Sequence, residues 1–401
     1  VSVRYPTVVL QAGREKAILK GHPWVFSGGI KEVRGSPEAG EVVLILASDG
    51  SPLALGFYNA HCDIAVRVIS RHPEAEINEK FWRLRIRCAL ALRKRIVPED
   101  TTAFRLVNAE GDGIPGLVVD RYADFLVISI ETAGVERLRE AIVRLLAEET
   151  QVQGIYERSS GQARGREGLP ERQGTLWGKE PSEEIEIREY GNRFFVDVKT
   201  GQKTGFFLDQ RENRRTFQNL SAQARVLNCF SYTGAFSVYA LKGGASEVVS
   251  VDISEKALQM IDRHLDVNGL DRRAHRSICA DVFDYLRHDK TKYELICLDP
   301  PPFARTRGDL KPALRGYRDI NRLALKRLAD NGLLVTFSCS GAVDEETFFH
   351  AVSQATREAG CVVKLLARLG PAGDHPIQLV HPEGRYLKGL ILTVLERHEQ
   401  A

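Results

Sequence analysis

Residues 336–341 read Thr-Phe-Ser-Cys-Ser-Gly, so Cys339 follows the apolar run GLLVTF and stands between Ser338 and Ser340. A thiolate is a strong nucleophile, and in open α/β sheets ligands collect at the carboxyl ends of strands, so Cys339 is placed to face a site. A second apolar run stops at Asp299-Pro300-Pro301-Pro302-Phe303. Successive prolines lack backbone donors and stiffen the chain, which leaves carbonyls and the Asp299 carboxylate to accept hydrogen bonds from a flat ligand such as a base. Cys297, two residues before Asp299, is the competing thiol, although a cysteine inside an apolar strand commonly serves as a small core residue.

Another run empties into Asn228-Cys229-Phe230-Ser231-Tyr232-Thr233-Gly234, the next ends on Asp252, and Asp281 follows a third. Gly234 permits close backbone approach, Asp252 can accept from both hydroxyls of a ribose, and Asp281 from an adenine amino group. The GxGxxG fingerprint is absent, and bulky Phe230 and Tyr232 occupy the loop, so a nucleoside without phosphates is favoured over a dinucleotide. S-adenosylmethionine is such a ligand.

These positions require a doubly wound sheet. From 185 onward a hairpin precedes strands expected at 225–230, 247–252, 275–280, 293–298 and 332–338, with helices at 235–242, 254–267, 315–329 and 344–359 between them. VVKLLARL and LKGLILTVLE suggest a final antiparallel pair. Residues 1–72 offer short β-like pieces separated by Gly, Pro, Asp and Ser turns, the pattern of a small barrel. From 78 to 97 the spacing predicts a helix with Phe81, Leu84, Cys88, Ala91 and Leu92 on its apolar face. It carries Arg83, Arg87 and five other cations with no acid between 80 and 95, a phosphate-contacting surface or a solvated face. Residues 104–160 read as a compact α+β unit, and GKEPSEE at 178–184 as a linker. Arg305, Arg307, Lys311, Arg315 and Arg318, against the single acid Asp309, suit a phosphate backbone beside the proline turn.

The composition is that of a globular protein: 401 residues, 43% hydrophobic and 27% charged, with a formal charge of +3. Apolar runs stop well short of the roughly 20 residues that span a bilayer. Seven cysteines, never spaced as CxxC, suggest neither a disulfide framework nor a zinc site, and reduced thiols in the cytoplasm are expected.

The ordered stretches GREKAILKGHPWVFSGGI, NAEGDGIPGLVVDRY, KTGFFLDQR, LNCFSYTGAF, VVSVDIS, DPP, GYRDIN, TFSCSG, DHP and PEGRYLKG cover essentially the whole chain. In them the sequence resembles the bacterial 23S ribosomal RNA cytosine-carbon-5 methyltransferases that carry an N-terminal PUA domain. The resemblance implies a PUA-like RNA-binding barrel at 1–72, a central α+β RNA-recognition domain at 73–184 and a class I methyltransferase domain at 185–401. It implies S-adenosylmethionine around Asn228, Phe230, Tyr232, Gly234, Asp252, Asp281 and Asp299, with Gln210 and Arg211 of LDQR on the cofactor side. The family often has lysine where this chain has Pro302, which leaves any role for that amine without a carrier.

Carbon 5 of cytosine is a poor nucleophile until a thiolate adds at carbon 6 and turns the ring into an enamine. Cys339 is expected to supply the thiolate and Asp299 to contact the nitrogen-3 and amino edge. Because carbon 5 is inaccessible in a duplex, the expected substrate is naked or partly assembled large-subunit RNA. Two rivals are an amino-methylating enzyme acting on adenine or guanine, which needs no thiol, and a non-catalytic RNA-binding assembly factor. Asp374-His375-Pro376 reads equally as part of the target pocket or as a turn. The sequence leaves monomer and homodimer both open.

Overall fold

The computed structural model describes residues 5–304 and 307–398. They gather into two compact units. The first holds the chain up to 187 with 196–208 and 373–384, and the second holds 188–195, 209–372 and the chain from 385 on.

In the first unit β1 (Thr7–Leu10), α1 (Glu15–Leu19), β2 (Trp24–Phe26), β3 (Ile30–Arg34), β4 (Val42–Leu46), β5 (Pro52–Tyr58) and β6 (Ile64–Ser70) build a six-stranded sheet of order β2-β6-β5-β4-β1-β3. Then come α2 (Glu79–Ile96), β7 (Ala103–Asn108), β8 (Leu117–Tyr122), β9 (Phe125–Ile130), α3 (Ala133–Arg137), α4 (Arg139–Thr150), β10 (Gly154–Ser159), α5 (Gln162–Arg166) and β11 (Arg172–Gly178). Their five strands pair in the order β11-β10-β9-β8-β7. Leu55, Phe57 and Ile69 of the first sheet share one core with Trp82 and Ile86 of α2 and with Leu106, Val119 and Ile142, so the hydrophobic interior runs across residue 72.

The inward face of α2 differs from the expected one. Trp82, Ile86, Ala89 and Arg93 are buried, whereas Leu84 is 61% exposed. Arg93 explains the rotation: its guanidinium meets Asp112 at 2.5 and 2.8 Å and the Arg105 carbonyl at 2.8 Å. A fully paired arginine can extend a buried face that hydropathy alone assigns to solvent.

The hairpin β12 (Ile185–Glu189) and β13 (Asn192–Val196) leads into α6 (Arg211–Asn219), β14 (Arg225–Cys229), α7 (Ala235–Lys242), β15 (Glu247–Asp252), α8 (Glu255–Val267), β16 (His275–Cys279) and α9 (Val282–His288). There follow β17 (Tyr293–Leu298), α10 (Leu310–Arg327), β18 (Leu328–Ser338), α11 (Glu345–Glu358), β19 (Cys361–Leu369) and β20 (Lys388–Arg397). The seven-stranded sheet runs β16-β15-β14-β17-β18-β20-β19, with β14 to β18 parallel and β20 antiparallel to both neighbours. The strand order reverses between β14 and β17, and a ligand crevice forms at such a switch point. Side chains that fix the helix starts come from the strand-end loops: Ser254 caps α8, Asp281 caps α9 and Asp344 caps α11. α10 begins five residues before the expected helix at 315, with Pro312 in its first turn, where a missing N–H costs nothing.

One buried ion pair fastens the hairpin. Arg214 on α6 donates to both oxygens of Glu189 at 2.7 and 2.6 Å, and the Tyr239 hydroxyl donates to the same carboxylate at 3.0 Å. Both charged side chains are almost wholly buried. Glu189→Leu therefore strands the guanidinium and should cost about 3–5 kcal/mol in urea unfolding, whereas Glu189→Leu/Arg214→Met should cost clearly less than the single change.

Candidate active site

The turn after β14 is held open by its neighbour. Phe230, Tyr232 and Gly234 have φ of 59, 48 and 76°, left-handed values that bulky side chains rarely adopt. Asp252 stabilises this shape: Oδ2 accepts the Tyr232 N–H at 2.8 Å and Oδ1 the Ser254 N–H at 2.9 Å. Each oxygen keeps a further lone pair for a ligand. Beside Asp252 stands Ile253, 75% exposed, an apolar surface that sequence reasoning passed over; an isoleucine directly after the strand-ending acid was the signal. Asp281 is exposed and its Oδ1 accepts the Asp284 N–H at 3.0 Å.

Two residues of the loop differ from expectation. Asn228 lies under the sheet surface, 1% exposed, and donates to Ser237 at 2.9 Å. Ser237 continues to Ser250 and on to His275, whose burial pushes its pKa down to about 4. Asn228 thus belongs to a polar chain inside the domain because residues of a strand alternate between faces. A Cβ on Gly234 would meet the Ile261 side chain at 2.7–2.9 Å, so close packing of α8 demands this glycine, apart from any ligand.

The target half lies at the ends of β17 and β18. The Cys339 thiol donates to the Pro300 carbonyl at 3.6 Å, one residue past Asp299. Ser340 is completely buried; its hydroxyl meets the Tyr317 hydroxyl at 2.8 Å and accepts the Ala304 N–H at 3.2 Å, joining the proline turn to the cysteine turn. Cys339 is half-buried, whereas Cys229 and Cys297 are fully buried. Burial, with the charge of Asp299 and of Cys229, pushes the Cys297 thiol well up, and burial does the same to Cys229. A neutral, enclosed thiol is inert.

Other expected residues are placed differently. Gln210 and Arg211 are buried at the start of α6: Gln210 Oε1 accepts from Asn213 at 2.6 Å, and Arg211 Nε donates to Glu212 at 3.1 Å. Arg83 contacts Glu79, Glu148 and Glu149 at 2.7–2.9 Å, and Arg87 contacts Glu149 at 2.8 Å. Those two arginines are not a bare cationic face, because α4 brings acids to them from far along the chain. Arg305 lies outside the described residues, and Arg307 opens a short turn, Arg307–Asp309, before α10. Asp374 and His375 are buried in the first unit, where Asp374 Oδ2 accepts the Arg105 N–H at 2.9 Å and its carbonyl accepts from Arg93 at 2.7 Å. Among the described residues no group of acids, cysteines and histidines is arranged to hold a metal ion, and no helix is long and apolar enough to cross a membrane.

A parallel sheet with its switch point between β14 and β17, acids at the strand ends and no phosphate cradle defines a nucleoside-binding transferase fold. Residues 156–383 match the S-adenosylmethionine-dependent methyltransferase family, and residues 8–71 match a PUA-like domain. A methyltransferase solved with S-adenosylhomocysteine superposes with a TM-score of 0.84, is 26% identical, and covers 96% of this chain and 99% of its own. A methyltransferase from Streptococcus mutans gives 0.83 and 25% identity over the same shares. This is an S-adenosylmethionine-dependent methyltransferase. The ribosomal RNA large subunit methyltransferase I of Aeromonas salmonicida is 44% identical over 389 residues, 96% of this chain and 98% of that protein. Its namesake in Vibrio cholerae is 41% identical over 396 residues, 97% and 100%. The chain belongs to this family of large-subunit ribosomal RNA methyltransferases.

The site fits the methyl donor. Asp252 has lone pairs left for ribose hydroxyls, exposed Ile253 offers an apolar face to an adenine ring, and the loop has a single glycine, so no pyrophosphate cradle competes. The packing role of Gly234 is testable. Gly234→Ala should destabilise the protein by about 1–3 kcal/mol in urea unfolding, and Ile261→Ala added to it should return part of that loss. Unchanged stability with lost cofactor binding would restore the ligand-approach role to this glycine.

Proposed function

We propose that this protein methylates carbon 5 of a cytosine in large-subunit ribosomal RNA through a covalent adduct on Cys339. The observation that carries the reading is the half-buried Cys339, whose sulfur lies 3.6 Å from the Pro300 carbonyl, just past the end of the strand that pairs with the one leading to Asp299. S-adenosylmethionine, when bound, supplies an electrophilic methyl group. Cys339 as thiolate forms a bond to carbon 6, and the ring electrons move to carbon 5, which takes the methyl group. Loss of the carbon-5 proton then restores the double bond as the sulfur–carbon bond breaks and returns the thiolate. Asp299 faces the nitrogen-3 and amino edge and selects cytosine. Cys297 and Cys229 are disfavoured as nucleophiles by their depth.

The RNA backbone has a candidate path beside the proline turn. Arg287, Arg315, Arg318 and Arg322 surround a cavity of about 590 Å³ that also touches Phe283 and Gly316. Asp319 and Glu358 pair with three of these arginines, and Arg315 has no ion pair among the described residues. The relatives' names give the large-subunit RNA as their substrate, and a base reachable at carbon 5 must be unpaired or flipped.

Two measurements test this reading. Asp252→Ala should weaken S-adenosylmethionine binding by about 1.5–3 kcal/mol in calorimetry, the scale of lost charge-assisted hydrogen bonds. An unchanged affinity would place the ribose elsewhere. RNA carrying 5-fluorocytidine at the target should trap a denaturation-resistant conjugate, because fluorine cannot leave as a cation, and the cross-linked peptide should contain Cys339. Cys339→Ala should lose conjugate and product while still binding cofactor. Wild-type methylation by that variant would end the covalent reading, and a methyl group found on an exocyclic nitrogen would favour the amino-methylating alternative.

A further inference from the structure

On α2, Arg83 and Arg87 are paired with acids, but Arg85 between them has no carboxylate partner among the described residues. Its guanidinium donates to the Ile69 carbonyl at 3.2 Å and lies over Phe81, 5.1 Å from the ring centroid. Gly113, at φ 73°, leaves room for that guanidinium, which a Cβ there would meet at 2.6 Å. Arg71, exposed just past β6, sits in a turn where the Ser70 hydroxyl accepts the His72 N–H at 3.1 Å. Among the described residues it too holds only backbone, the Ile18 carbonyl at 3.1 Å and the Gly21 carbonyl. Both arginines line a cavity of about 220 Å³, which shares Arg85 and Gly113 with a second of about 550 Å³ along α2. All of these residues belong to the first unit.

Two guanidiniums without a counter-ion at one groove attract an anion. A guanidinium has five N–H donors; Arg85 uses one within the protein and Arg71 two, which leaves a fork matched to phosphate oxygens. The one acid of the lining, Asp112, is held on both oxygens by Arg93, so no free carboxylate competes in the groove. Along α2 the larger cavity is apolar: Phe81 is half-buried, and Leu84 and Leu92 are 61% and 37% exposed, a wall suited to the face of a base. Single-stranded nucleic acid is held by such an arrangement, cations along the backbone and apolar or aromatic side chains under the bases. We propose that this groove binds a single-stranded segment of the RNA substrate, with Arg71 and Arg85 on a phosphate and Phe81 and Leu84 against the neighbouring base. α2 lies between the stretches 8–71 and 156–383 that match the PUA-like and methyltransferase families, so neither match assigns it a role. The proposal rests on the reading of RNA as the substrate and is independent of the covalent chemistry at Cys339.

The test reads RNA binding, apart from methyl transfer. The full chain is titrated into a fluorescently labelled single-stranded RNA of mixed sequence at a series of salt concentrations. Arg71→Met/Arg85→Met should bind roughly tenfold or more weakly and flatten the slope of log K against log salt by about 1.4, two phosphate contacts at about 0.7 each. Arg71→Lys/Arg85→Lys, which keeps both charges, should retain most of the slope, and S-adenosylmethionine affinity should be the same in all three proteins. An unmoved slope in the folded methionine variant overturns the proposal. Should that variant fail to fold, Leu84→Glu decides, because the side chain it replaces is already exposed. A loss of RNA affinity clearly larger than that from Leu395→Glu, at an exposed position on β20 of the second unit, supports the proposal, and equal losses or none overturn it. If the methionine variant loses affinity for polyglutamate but keeps it for RNA, the groove takes an acidic protein and the proposal falls. A wild-type chain that binds no RNA at any salt concentration would instead remove the substrate reading, and the role of the groove with it. Wild-type binding with an unmoved slope in the variant removes only the inference about the groove.

Discussion

The hydroxyl of Ser340 couples the turns that follow two neighbouring strands, β17 and β18. It takes the Ala304 N–H from the proline turn and meets the hydroxyl of Tyr317 on α10, while its own backbone carbonyl takes Lys388. Because Ser340 is wholly buried, water cannot substitute for a lost partner, and each bond is worth more than it would be at the surface. The proline turn after Asp299 and the turn carrying Cys339 are thus one braced body. The covalent reading proposed above would need such bracing, since it asks for a nucleophile and a base-recognition edge held within about 0.5 Å of their working geometry.

The cofactor half uses a different device. Phe230 and Tyr232 sit in left-handed conformations that cost on the order of 1 kcal/mol or more each, and Asp252 offsets that cost by accepting the Tyr232 N–H. Its two oxygens have roughly four lone-pair directions, and two are used within the protein. The remaining pair matches the two hydroxyls of a ribose. On the proposed reading, loop shape and ribose recognition are tied to one carboxylate, and a change at Asp252 would act on both.

Most of this sheet was legible in the sequence because parallel strands buried on both faces read as unbroken apolar runs, and each run ended on a residue of obvious chemistry. Asp252, Asp281, Asp299 and Cys339 were singled out in that way, and the structure places each at or just past the end of a strand. What stayed hidden depended on partners distant along the chain. The acids that occupy Arg83 and Arg87 come from α4, and the buried face of α2 turns on Arg93 finding Asp112. Asn228 stands one residue before the end of β14, where its amide is buried and donates to Ser237. No local pattern of hydropathy contains these pairings.

The choice between Cys297 and Cys339 shows the same limit from the other side. Cys297 lies inside its apolar run and Cys339 just past its own, between two serines, so the sequence separates them by position and by those serines. Those serines prove to be buried struts, with Ser338 and Ser340 both fully enclosed, while Cys339 between them is only partly buried. Depth then acts as a chemical filter: burial pushes the Cys297 and Cys229 thiols up and so keeps them protonated. A strand of alternating faces can therefore carry several cysteines of which the deep ones are kept out of reaction, which leaves the position where the strand quits the core to the covalent reading proposed for Cys339.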